Sequence, residues 1–191
     1  DMHDGQIVYM YAGDLWTVNV NTGHNNVIEI TLASDRVRLR PHLEDAADTV
    51  EDYALNYDGD RIVVSSRGEM WVAPTDEGRV IQLSESSHTR ERSAAFSPDV
   101  EDELIACITD ETGEQEIALY NSHDPDVSTV LTDAGNGWLF SPVWSPDGSM
   151  IAYADMTLNL YILDIESGES RVVEKSPGWE ITEYEFSPDS K

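Results

Sequence analysis

The chain has 191 residues, 40% of them apolar, which is enough to bury a sizeable folded core. Acidic residues number 38 against 11 basic ones, for a formal charge of -27, and only Lys175 and Lys191 are lysines. Such a surface repels nucleic acid and anionic membranes, and no run approaches the roughly 18 uninterrupted apolar residues of a membrane-spanning helix, so neither is an expected partner.

In chain order, residues 6–12, 14–20 and 26–32 read as three short strands. Arg36, Arg38 and Arg40 follow at spacing two on an extended link, so they are expected to share one face. Three of nine arginines on one face is a concentration suited to bidentate capture of peptide carboxylates. Pairing with Asp35, Glu44 and Glu91 is the competing use. Arg90 and Arg92 repeat the pattern in the next link.

From residue 50 onward the chain repeats itself. Phe96-Ser97-Pro98-Asp99 recurs as Trp144-Ser145-Pro146-Asp147-Gly148 and Phe186-Ser187-Pro188-Asp189, with a degenerate copy at Leu55-Asn56-Tyr57-Asp58-Gly59. The successive intervals from Asn56 to Ser97, Ser145 and Ser187 are 41, 48 and 42 residues, periods typical of propeller blades. After each turn come three more strands: 61–65, 69–72 and 79–83; 104–108, 116–120 and 127–131; 150–154, 159–163 and 170–173. The expected fold is therefore an all-β propeller of four-stranded antiparallel blades, about four blade equivalents belonging to a larger ring. Its divisions are 1–33, a blade lacking its first strand; 50–84, 93–132 and 141–174, complete blades; and 183–191, the first strand of a next blade. Cut blades at both ends read as excision from a longer protein.

The repeated motif carries turn chemistry. Pro presets φ, Asp bonds the backbone ahead of it, and Gly accepts positive φ. Ser97 and Ser145 lack a Gly-x-Ser-x-Gly elbow, so no catalytic residue is expected in this chain. Asp14, Asp58, Asp147 and Asp164 are read as equivalent turn residues of different blades. His3, His24, His42, His88 and His123 show no ligand spacing, and Cys107, the sole cysteine, sits in an apolar strand as an inert thiol. No metal or cofactor is expected. An acidic surface with only two lysines also predicts adaptation to high salt.

These blades resemble the TolB-like repeat of periplasmic TolB, prolyl oligopeptidase relatives and tricorn proteases. Gly13-Asp14-Leu15-Trp16, Ser34-Asp35-Arg36 and Arg40-Pro41 look like the seven-bladed propeller of the tricorn family. So do Asp58-Gly59-Asp60-Arg61, Ser66-Arg67-Gly68-Glu69-Met70-Trp71, His88-Thr89-Arg90-Glu91-Arg92, and the segments 138–144 and 177–181. The chain departs at Asn56-Tyr57 and at Asp99-Val100, where Ser-Pro and Gly are expected. The resemblance implies a cytoplasmic serine peptidase of oligopeptides, homo-oligomeric in its parent form, whose catalytic domain lies beyond this segment. The propeller would gate or guide peptides, with Arg36, Arg38, Arg40, Arg90 and Arg92 as candidate contacts. A TolB-like protein-binding propeller, periplasmic and without enzymatic activity, and the gating propeller of a prolyl-oligopeptidase relative are the alternatives.

Overall fold

The computed structural model describes residues 2–31, 45–84, 88–100, 103–125, 127–133, 135 and 137–190. The chain divides into two compact units, Asp1–Glu44 and Asp45–Lys191.

The first unit is one antiparallel sheet, in the order β1 (Met2–His3), β2 (Gln6–Tyr11), β3 (Asp14–Asn19) and β4 (Asn25–Ile28). The expected absence of a first strand is thus corrected, since Met2 pairs with Ile7 and His3 with Gln6. Two residues carry no alternation to read. The signal present is Asp4-Gly5, a two-residue loop with φ of +47° and +71°, which the primed hairpin turns require.

The second unit holds three further sheets, each in chain order from first to fourth strand. Blade B comprises β5 (Val50–Leu55), β6 (Arg61–Ser66), β7 (Glu69–Pro74) and β8 (Ile81–Gln82). Blade C comprises β9 (Arg92–Phe96), β10 (Leu104–Thr109), β11 (Glu116–Asn121) and β12 (Ser128–Val130). Blade D comprises β13 (Val143–Trp144), β14 (Met150–Ala154), β15 (Asn159–Asp164) and β16 (Ser170–Lys175). No described helix is long and apolar enough to cross a membrane.

Blade C is buried on both faces, which is why β10 and β11 are continuous apolar runs. Ile105, Cys107, Ala118 and Tyr120 pack against Val63, Met70, Val72 and Leu83 of blade B. Ala106, Ile108, Ile117 and Leu119 alternate with them and pack against Leu139, Ile151, Tyr153 and Leu163. Cys107 is fully buried, and burial pushes its thiol up, as an inert side chain requires. The aromatics before two of the Ser-Pro pairs join neighbouring blades. Phe96 belongs to the B–C core, and Trp144 Nε1 donates to Ala95 O at 3.0 Å.

Residues 183–187 pair with no strand, contrary to expectation, because no described neighbour offers them a ladder. They lie instead along the outer face of blade D, where the Tyr184 hydroxyl donates to Ser141 O at 2.5 Å. Tyr184 and Phe186 close a groove of about 550 Å³ over Met150, Ala152, Leu160 and Ile162.

Candidate functional site

A four-stranded meander has two ends. The turns between first and second and between third and fourth strands share one end. The middle turn and the link to the next blade share the other.

At the first end the repeated serine ties the hairpin. Ser145 Oγ accepts Met150 N–H at 2.9 Å and donates to Asp147 Oδ1 at 2.7 Å, and Ser97 Oγ accepts Leu104 N–H at 3.2 Å. Asn56 Oδ1 does the same for Arg61 N–H at 3.0 Å. The amide has donors to spare, and Nδ2 reaches Asp60 Oδ1 at 2.8 Å and Glu103 Oε1 of blade C at 2.7 Å. That second reach explains why asparagine replaces serine here.

Glu103 is the centre of this end. Its Oε2 receives Arg61 Nη1 at 2.5 Å and the Ser122 hydroxyl at 2.9 Å, with His123 Nε2 at 3.3 Å. Burial pushes the Glu103 carboxyl up, but Asn56, Ser122 and the Arg61 guanidinium together hold it below the ordinary range. The turn motif itself does not announce this buried pair. Its one signal was Glu103 standing where a repeat-equivalent turn carries Ser149.

The four aspartates taken as equivalent occupy different positions. Asp58 and Asp147 lie in first-to-second turns, Asp164 ends β15, and Asp14 opens β3 opposite Tyr11. Every turn of a meander favours an Asx residue, so aspartate alone does not identify which turn it marks.

The link end holds the expected arginines. Arg36, Arg38 and Arg40 lie outside the described residues. Arg90 and Arg92 do not share a face, because β9 begins only at Arg92 and strand alternation does not extend back to Arg90. Arg90 Nη2 meets Glu51 Oε2 of blade B at 2.5 Å, and its N–H donates to Asp110 Oδ1 at 2.7 Å. The acid it pairs with is Glu51, not the neighbouring Glu91. Arg92 turns toward blade D, where Nη2 donates to Gln115 Oε1 at 2.8 Å and to Leu139 O at 2.7 Å. Its guanidinium stacks over Trp138, 4.3 Å from the ring centroid.

Between these arginines, Glu91 enters the B–C interface and is 1% exposed. Its Oε1 accepts the hydroxyls of Thr89 at 3.0 Å and Thr109 at 3.2 Å. Nearby, Ser84 Oγ accepts Met70 N–H and donates to Glu69 Oε2, both at 3.0 Å. Blade C repeats that device, with Thr132 Oγ1 accepting Ile117 N–H at 2.9 Å and donating to Glu116. No group of three or more His, Cys, Asp or Glu among the described residues is arranged to hold a metal.

Several known proteins share this chain's architecture. A TolB-type structure from Agrobacterium tumefaciens superposes with a TM-score of 0.61 at 21% identity, covering 93% of this chain and 58% of that one. An oligogalacturonate lyase of Vibrio parahaemolyticus gives 0.59 at 14% identity, covering 93% and 49%. At such identities the likeness shows the propeller fold alone. In sequence, the tricorn protease homolog of Saccharolobus solfataricus is 22% identical over 98% of this chain. Tricorn protease homolog 1 of Streptomyces coelicolor is 27% identical over 97% of it. The chain spans 17% and 18% of the lengths of those two relatives. The family described as the tricorn protease second beta propeller domain matches residues 50–191, all of blades B, C and D. The chain belongs to that family.

Proposed function

We propose that these blades form a non-catalytic propeller segment of a tricorn-type serine peptidase, guiding oligopeptides toward a catalytic domain elsewhere in the parent protein. Membership of the second-propeller family carries this reading. The internal partners of Ser97 and Ser145 accord with it, since both hydroxyls are used in turns. Arg90 and Arg92 are engaged by Glu51, Gln115 and Leu139 O. Capture of a peptide carboxylate therefore falls first to Arg36, Arg38 and Arg40.

The test is made in the intact peptidase with Arg36→Gln and Arg38→Gln combined. The kcat/KM for oligopeptides with a free C-terminal carboxylate is expected to fall several-fold, while amidated versions and the melting temperature stay unchanged. Equal loss on both peptide forms, or lost stability with unchanged uptake, would assign these arginines to internal pairing.

A further inference from the structure

The link end of blade D exposes three large apolar side chains. Trp138, in the link from β12 to β13, is 48% exposed; Met156, in the β14–β15 turn, 55%; and Trp179, in the link after β16, 81%. Hydrogen bonds connect the three segments. Met156 N–H donates to Trp138 O at 2.9 Å, Ser176 N–H to Leu158 O at 2.9 Å, and Trp179 N–H to Ser176 Oγ at 3.2 Å. Met156 Sδ lies over Gly137, 3.0 Å from where a Cβ would stand. The link into blade C makes the same crossing without tryptophan, since Arg90 stands seven residues before Ser97 as Trp138 stands seven before Ser145. The blade architecture therefore does not demand these indoles.

The patch is rigidly presented. Asp155 is fully buried, and its Oδ1 accepts Thr157 N–H at 2.9 Å, the Thr157 hydroxyl at 2.8 Å and Asn159 N–H at 3.0 Å. Its Oδ2 accepts the Tyr161 hydroxyl at 2.9 Å. These bonds hold Leu158 at φ +73°, a left-handed conformation that a bulky side chain keeps only where its surroundings impose it. Strain of this kind accompanies sites that must hold one shape, and here it fixes the turn that carries Met156. Trp138 is fixed by Arg92, 4.3 Å from its ring centroid and itself anchored to Gln115 and Leu139 O.

We propose that this surface docks extended oligopeptides through an aromatic or large aliphatic side chain flanked by cationic residues. The inference rests on the peptide-guiding reading above and names the class of peptide. Trp, Met and Arg are enriched where interfaces hold their binding energy, and a preformed surface lowers the entropy cost of docking. The indole faces and the thioether receive the apolar side chain. Charge selects the flanks. The chain carries 38 acidic against 11 basic residues, so its field draws in cationic peptides and repels acidic ones. Around Trp179 the exposed Glu174 and Glu180 outnumber Lys175, and Arg92 is already engaged beneath Trp138.

Calorimetric titration of the intact protein, treated with a serine-directed fluorophosphonate so that no probe is consumed, tests the proposal. The probes are Arg-Phe-Arg-Phe-Arg, Glu-Phe-Glu-Phe-Glu and Arg-Ser-Arg-Ser-Arg, each acetylated and amidated. The first is expected to bind about tenfold more tightly than either of the others. Met156→Ser combined with Trp179→Ser should remove that advantage while leaving the melting temperature and the Arg-Ser affinity unchanged. Capped probes have no free carboxylate, so the Arg36 and Arg38 test and this one fail independently. Equal affinity for the Arg-Phe probe and either control would overturn the proposal, as would undiminished binding in the double variant. So would the lack of any saturable binding, the result expected if another domain of the parent protein covers the patch. Should the double variant unfold, Trp179→Ser decides alone, and an unchanged Arg-Phe affinity refutes the site.

Discussion

Ser145 shows how a residue that looks like a nucleophile is spent on architecture. It is fully buried, and its oxygen accepts from the first residue of β14 while its proton goes to Asp147 of the same turn. The hydroxyls of Ser145 and Ser149 hold the Asp147 carboxyl down, to about 2 from the usual 3.8. A group lowered in the folded state stabilises above its ordinary value, and that contribution is lost as pH falls through the lowered one. Ser145→Ala should therefore raise the Asp147 midpoint toward 3.8, read by carboxyl-carbon NMR titration. It should also cost about 1 kcal/mol of unfolding free energy through the lost bond to Met150 N–H. An unchanged midpoint would show that Ser145 does not set the charge of this turn. The serine's structural role was legible in the sequence because Pro, Asp and Gly follow it at fixed offsets. Asn56 was not, since its extra donors matter only once Glu103 of the next blade is beside them.

At the scale of elements, blades are joined by apolar alternation and by polar clamps at each end. Arg61 and Glu103 form the clamp between blades B and C, with side chains 16% and 10% exposed. Water therefore screens the pair only weakly. Arg61→Met removes one partner and leaves a buried carboxylate, which is expected to cost about 3 kcal/mol in denaturant melts. Arg61→Met combined with Glu103→Leu should cost far less than the sum of the two single changes, because no charge then stays unpaired. Additive losses would mean that the two side chains act independently. The alternation on β10 and β11 was readable from residue types, since Leu104 to Ile108 shows a strand buried on both sides. The clamps were not. Their members lie 42 residues apart in sequence, and only the stacking of blades brings Arg61 to Glu103. Strand ends faded for a related reason. β8 is two residues where 79–83 was expected, because the ladder to β7 extends only from Trp71–Gln82 to Val72–Ile81.

For the whole molecule the governing quantity is the charge of -27. The described clamps neutralise few of these acids. Arg61 serves Glu103 and Arg90 serves Glu51, and the Arg90 pair is half-exposed and contributes little. The remaining repulsion acts across the surface and opposes the compact state at distances set by salt. The screening length falls from about 30 Å at 0.01 M to about 3 Å at 1 M, which is shorter than most separations between surface carboxylates. Unfolding spreads the same charges apart, so screening relieves the folded state more than the unfolded one. The melting temperature should therefore climb steeply as sodium chloride rises from about 0.01 M and continue upward toward about 1 M, with most of the gain retained when potassium replaces sodium. Calorimetry across that series checks it. A flat or falling curve would mean that carboxylates are neutralised by local pairing, and high-salt adaptation would be rejected. A gain with sulfate but not chloride would instead assign the effect to burial of apolar surface by salt exclusion.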